Sequence, residues 1–426
     1  VKKIVLLFIL FLFISTNFIS HNFIYAAEIS AAEWREDLNY LKKELPLRHV
    51  NLFSEISQAE FNREIEELKS DIPKLSQLDI TLRIFEIFSR IGDQNLTVDN
   101  SSFLKEYYPF YLNKFADGYR VMEVDQEYRV ILGAKLISIN DHSIEDLKRK
   151  FSALITADNQ YTLESRLGSF LNLTDVLKYL NIIDQKNIFL FQEGENYFEV
   201  NFAAKKIENI KANAAQLVKL DHYKNELTEK NNQLFYADYL VDEKMLYFQY
   251  NNFEKCFQNN IIVNNLDQND LKNSLFKKIE KKILDFLNYR EVNKFVIDLR
   301  YKTGGEYQAG LELAEKLEAY KDELNFYVII GKATDSTGIL HALNFKYKLN
   351  AYLVGYPTLT KINHFGGVKS FSLPNSKLKI SYSTKYYRIL ENNDPDSLYP
   401  DIMVEKEFED FLNGRDTAIE LISSID

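Results

Sequence analysis

The stretch K-F-V-I-D-L-R-Y-K-T-G-G-E (294–306) decides the fold. Its first half is a short apolar run rich in β-branched and aromatic residues, and its second holds two consecutive glycines that permit a sharp turn. Runs of the same kind stand at M-L-Y-F-Q-Y (245–250), F-Y-V-I-I (326–330) and A-Y-L-V (351–354). Between the last three lie amphipathic segments, 305–320 and 338–347, with helical periodicity. Strands that are apolar on both sides and alternate with helices call for a mainly parallel sheet covered on its faces. Residues 245–426 are therefore expected to form an α/β core. Within it, S-F-S-L-P-N-S-K-L-K-I-S-Y (370–382) has the pattern of a hairpin turning at P-N-S-K.

Upstream the texture differs. Residues 28–108 are expected to be helical: Ser30 with Glu33 and Ser57 with Glu60 have capping-box spacing. Behind them Trp34, Leu38, Leu41 and Leu45, then Phe61, Ile65 and Leu68, fall on single faces. A third helix is expected over about 76–91. Residues 109–205 are a small β-rich region, with N-I-F-L-F (187–191) and Y-F-E-V-N-F (197–202) flanking a turn at E-G-E-N. An Asn- and Lys-rich stretch, 206–244, reads as a linker.

Residues 1–27 have the form of a signal peptide: Lys2 and Lys3, the apolar run I-V-L-L-F-I-L-F-L-F-I, and small residues at Ala26 and Ala27. The mature protein is expected to be extracytoplasmic, with the segment cleaved. A net charge of −10 argues against a nucleic-acid partner. The one cysteine, Cys256, allows no internal disulfide and reads as a small buried hydrophobe. No histidine has the spacing of a metal ligand set, so neither metal nor cofactor is expected.

Two residues carry potential chemistry. Ser336, in G-K-A-T-D-S-T-G (331–338), falls between a strand and a helix, where loops at the carboxyl ends of strands build ligand sites. It is a candidate nucleophile, with the helix N-terminus at Thr337 offering N–H groups to an oxyanion; equally, it is a good N-cap. Gly304 and Gly305 could bring a backbone N–H toward it from the neighbouring strand, or simply turn the chain. Lys361, in V-G-Y-P-T-L-T-K (354–361), is a candidate base, since a lysine that is neutral in a buried cleft can accept a proton. His341 and His364 compete for that role; His341 reads as structural and His364 as a substrate contact.

Taken together, these motifs resemble the C-terminal-processing (tail-specific) serine peptidases, in the branch of tricorn protease and the interphotoreceptor retinoid-binding protein. The matching stretches also include H-V-N-L-F-S-E-I-S-Q-A-E-F (49–61), I-G-D-Q-N-L-T-V (91–98), L-Y-F-Q-Y-N (246–251) and Y-P-D-I-M-V (399–404), in the family's order. The resemblance implies an α/β fold with a crotonase/ClpP-like catalytic core, a helical N-terminal unit, and a degenerate PDZ-like module at 109–205. It also implies Ser336 as nucleophile, Lys361 as base, and Gly304, Gly305 and the Thr337 N–H at the oxyanion hole. The expected function is a serine endopeptidase cleaving exported polypeptides through an acyl-enzyme; the alternative is an inactive peptide- or ligand-binding protein on the same fold. The chain departs from the family pattern at Lys302, where an asparagine is usual, at Asn95, where the branch has a histidine, and at Asp335, which replaces a bulky apolar residue.

Overall fold

A computed structural model describes residues 29–425, except 100–102, 211–212, 214–215, 226, 231–232, 252–267 and 306. The segment 1–27 and Cys256 thus lie outside the described residues. The chain forms two compact units. One takes the chain up to Leu220 and then Asn363–Arg388; the other takes Asp221–Ile362 and Ile389–Asp426.

The first unit opens with α1 (Ala31–Arg48), α2 (Gln58–Asp71) and α3 (Gln77–Ser89). The capping boxes expected at Ser30 and Ser57 are both reciprocal, and Ser76 with Asp79 makes a third using the shorter acid. Each box satisfies two of the N–H groups a helix start leaves open. The apolar faces of the three helices enter one core, which Phe371, Leu373, Leu378 and Ile380 of the returning segment help to fill. Those residues belong to the expected hairpin, Lys369–Ser372 with Lys379–Tyr382, whose second strand pairs antiparallel with Thr97–Asp99. Asp37 of α1, fully buried, accepts the backbone N–H groups of Asn375 and Ser376, both at 2.8 Å, and so fastens the hairpin turn. The β-rich region is antiparallel, in the order Leu217–Lys219, Gly118–Asp125, Lys135–Ile139, Ile188–Glu193, Asn196–Asn201. Its last two strands are the expected hairpin, turning at Gly194 with φ 59°.

The second unit is built on six strands standing side by side in chain order: β1 (Phe235–Leu240), β2 (Met245–Tyr250), β3 (Lys294–Asp298), β4 (Asn325–Ile330), β5 (Tyr352–Gly355) and β6 (Ile402–Met403). Strands β2 to β6 are parallel, and β1 is an antiparallel edge within the stretch read as linker. The crossovers carry α4 (Gln268–Tyr289), α5 (Gln308–Leu317) and α6 (Thr337–Leu349). Right-handed crossovers in an order that never reverses put all three helices on one face. Alternate side chains confirm it. Phe295, Ile297, Val328 and Ile330 pack with Leu313, Leu317, Ile339 and Phe345. Val296, Tyr327, Ile329 and Val354 meet Ala418, Ile419 and Ile422 of α7 (Thr417–Ser424) on the other face. Lys294, buried at the start of β3, donates to the carbonyls of Ile422 and Ser423 at 3.1 Å, and also to that of Ile425, closing the carboxyl end of α7.

Candidate active site

Because β3, β4 and β5 are adjacent and parallel, the loops that follow them leave the sheet at the same edge. These loops carry Gly304 and Gly305, Ser336, and Lys361 respectively. The first two loops are stapled to each other. Asp335 N–H donates to Lys302 O (3.0 Å), and Thr337 Oγ1 donates to Gly305 O (2.9 Å). Gly338 lies so close to the same loop that a Cβ there would stand 2.2 Å from Lys302 O. Thr334, fully buried, latches the base of the second loop: its Oγ1 donates to Leu299 O and accepts from Gly331 N–H, both at 2.9 Å.

Ser336 occupies the N-cap position of α6, yet its side chain makes no capping bond. Its backbone is at φ 49°, ψ −111°, outside the ordinary wells of an L-residue. Such a conformation costs on the order of 1–3 kcal/mol and persists where the surroundings impose it, as in strand–turn–helix nucleophile elbows. Here the staples on either side impose it. Ser336 O still accepts from Ile339 and Leu340 N–H at 3.1 and 3.2 Å, so α6 starts normally beyond it. The capping reading of Ser336 therefore fails, and its hydroxyl makes no hydrogen bond to a described residue.

Gly305 is exposed at φ 118°, and a Cβ on Gly304 would meet nothing within 4 Å, so the glycine turn borders open space. Lys361 lies six residues beyond β5 and is half-buried. The turn before it is pinned by Thr358, whose Oγ1 donates to Thr360 O (2.8 Å) and accepts from Leu398 N–H (2.9 Å).

Lys302 and its surroundings were not legible beforehand. Lys302 is 2% exposed, and its ammonium lies 3.8 Å from the ring centroid of Tyr250. Tyr250 stacks on His341, whose Nε2 lies 3.0 Å from Tyr307 O while its Nδ1 finds no partner among the described residues. Burial first, and the Lys302 charge second, push the His341 pKa down to about 3. The sign follows directly. Below about 6.5 the unfolded chain takes up a proton that the folded chain refuses until about 3, so stability falls as pH drops across that window. This histidine should cost about 2 kcal/mol between pH 7 and pH 5. His341→Gln should lose that much less than the parent protein when urea unfolding is measured at the two pH values. Equal losses would show that the buried imidazole is not the source.

His364, expected as a substrate contact, belongs to the first unit. It is 6% exposed, in the strand His364–Gly366 paired with Lys385–Tyr387, its ring 5.3 Å from that of Tyr387. The same unit holds a buried pair the sequence did not announce. His49 Nε2 and Asp93 Oδ2 are 3.0 Å apart with both side chains fully enclosed. Asn51 N–H donates to His49 Nδ1 (3.1 Å), which leaves Nε2 to carry the proton toward Asp93. Asn95 donates to Phe365 O (3.0 Å) and Ser383 Oγ (3.3 Å), and so ties the segment 363–388 to an earlier part of its own unit. Among the described residues no cluster of His, Cys, Asp and Glu is arranged to hold a metal, and no helix is long and apolar enough to cross a membrane.

No protein-family model and no curated protein matches the sequence. Among solved structures, mature CPAF complexed with lactacystin matches with a TM-score of 0.58 at 10% identity, over 92% of this chain and 98% of that one. A serine-to-alanine mutant of CPAF matches at 0.59 and 9% identity, over 92% and 96%. The photosystem II D1 C-terminal processing protease is a looser match, with a TM-score of 0.37 at 9% identity over 88% and 93%. The chain has the α/β fold of CPAF over nearly the whole of both chains.

Proposed function

We propose that the chain is a serine endopeptidase acting on polypeptides through an acyl-enzyme. One observation carries the reading: Ser336 is held in a strained turn between β4 and α6, its hydroxyl free of capping duty, beside a glycine turn that borders open space. Strain of this kind is kept where it presents a nucleophile. In this mechanism Ser336 Oγ attacks the scissile carbonyl and Lys361, in its neutral form, takes the proton and returns it to the leaving amine. The N–H groups of Gly304, Gly305 and Thr337 receive the oxyanion, aided by the positive end of α6. Water then repeats the sequence on the acyl-enzyme. Action on exported proteins rests on the sequence of residues 1–27 alone.

The test is Lys361→Ala, assayed on an unstructured protein substrate. Serine and base act as one unit, so this variant should lose roughly a thousandfold or more in kcat, and its loss should not add to that of a serine variant. Wild-type activity in K361A would remove the lysine from the mechanism. A folded parent protein that cleaves no peptide and takes no fluorophosphonate on Ser336 would leave only the binding-protein reading.

A further inference from the structure

Thr334, Asp335, Ser336 and Thr337 put four polar side chains in a row where β4 gives way to α6. The protein satisfies the outer two, which are buried. Thr334 Oγ1 bonds Leu299 O and Gly331 N–H, and Thr337 Oγ1 bonds Gly305 O. The inner two, both half-buried and so open to a ligand, are left without partners. The Ser336 hydroxyl makes no capping bond. Asp335 Oδ1 is enclosed and has no hydrogen bond, and the carboxylate enters no ion pair among the described residues. Nor can the loop shift to bring a donor to it. Asp335 N–H is held by Lys302 O at 3.0 Å, and its carbonyl accepts Gly338 N–H at 2.8 Å. An enclosed carboxylate oxygen without a donor costs stability, and a cationic donor is the partner that stabilises it most.

Resting on the reading of Ser336 as nucleophile, we propose that Asp335 is a specificity residue of that site. Its carboxylate receives the cationic side chain of a lysine or arginine, carried by the substrate residue that supplies the scissile carbonyl. Consecutive residues lie about 3.8 Å apart at Cα, so a substrate carbonyl at Ser336 brings its own side chain within reach of Asp335. Lysine and arginine place a full charge there. An apolar side chain leaves Oδ1 as unpaired as it was, and an acidic one is repelled, so the same carboxylate both selects and excludes. The net charge of −10 acts in the same sense, drawing basic polypeptides toward the protein. A hydrogen bond to a charged group corresponds to roughly ten- to a hundredfold in discrimination.

The experiment gives the full chain three quenched peptides that differ only in the residue before the scissile bond: lysine, norleucine or glutamate. Norleucine keeps the length of the lysine stem without its charge. The lysine peptide should exceed the norleucine one in kcat/KM by roughly ten- to a hundredfold, with the glutamate peptide slowest. In Asp335→Asn and Asp335→Leu the lysine-to-norleucine ratio should fall to within about threefold of one, and Asp335→Lys should place glutamate above lysine. The staples at this position use backbone groups, so the substitutions leave them in place; melting temperatures check the fold, and if one neutral variant does not fold the other is read. Equal cleavage of the lysine and norleucine peptides by the parent overturns the proposal, since a substrate backbone N–H would then serve Oδ1 whatever the side chain. So does a ratio that survives in D335N and D335L, or a D335N variant faster on all three peptides alike, which would mean that the carboxylate acts on the base and not on the substrate. A parent that cleaves nothing and takes no fluorophosphonate on Ser336 sinks the peptidase reading itself, a different result from an active parent indifferent to charge.

Discussion

Ser336→Ala should reduce peptide hydrolysis by about ten-thousandfold or more while the protein keeps its fold. The residue is the only proposed group that forms a covalent bond to substrate, and removal of such a group leaves only binding and oxyanion stabilisation. The substitution deletes a hydroxyl with no hydrogen bond to a described residue, so it should move stability by less than about 0.5 kcal/mol. The backbone conformation gives this prediction a second, independent arm. At φ 49° and ψ −111° an alanine inherits the strain of the serine, whereas glycine is relieved of it. Ser336→Gly should therefore be as inactive as S336A yet more stable than S336A by about 1 kcal/mol. Chemical denaturation of both variants, beside a proteolysis assay, decides the matter. A glycine variant less stable than the alanine one would mean that the turn carries no strain; an active S336A would end its role as nucleophile.

The largest effect on stability is expected at Asp298, at the end of β3. This carboxylate is fully buried and accepts from Tyr247 OH (2.6 Å), from Arg300 Nη2 (2.7 Å) and from Arg300 backbone N–H (2.9 Å). Arg300 reaches on to Asp416 (2.7 Å), which in turn caps α7 through Ile419 N–H (3.2 Å). Burial alone would pull the guanidinium down; Asp298 and Asp416 outweigh it and hold it above its ordinary range. Asp298→Ala strands part of a half-buried cation and a buried phenol, at a cost of about 3–5 kcal/mol. Replacing Asp298 and Arg300 by apolar residues and Asp416 by asparagine, which can still cap α7, should cost less than D298A alone, because no charge is then left without its partner. The readout is the unfolding midpoint of the two variants. A triple variant worse than the single one would show that the network contributes more than mutual compensation.

How much of this was legible depended on the range over which each feature is encoded. Parallel strands buried on both faces leave a continuous apolar run, so F-V-I-D-L and F-Y-V-I-I declared themselves, and the strand–helix junction at Ser336 followed from them. Capping boxes are local, and Ser30 and Ser57 were found; Ser76 escaped because Asp79 is not the usual longer acid. Lys302 was opaque, since a lysine is by default a solvated charge and only the placement of Tyr250, on a different strand, shows otherwise. Tyr247 and Asp298 meet because of the register between β2 and β3, which no single-strand pattern contains. The pairing of His49 with Asp93 spans 44 positions. Nothing in the local composition of 363–388 announces that this segment completes the first unit.

That last arrangement has a consequence for how the chain is made. The helices α1 to α3 leave the ribosome well before the strand that pairs with Thr97–Asp99 and the side chains Phe371, Leu373, Leu378 and Ile380 that fill the core beneath them, which come more than two hundred residues later. At ordinary elongation rates the wait between Leu220 and Arg388 is roughly ten to thirty seconds. For that interval the first unit is without its last layer, while the intervening sheet of the other unit is being synthesised. The usual order, in which one domain is finished before the next begins, is closed to this topology: the first unit is completed only after residues 221–362 of the other unit exist.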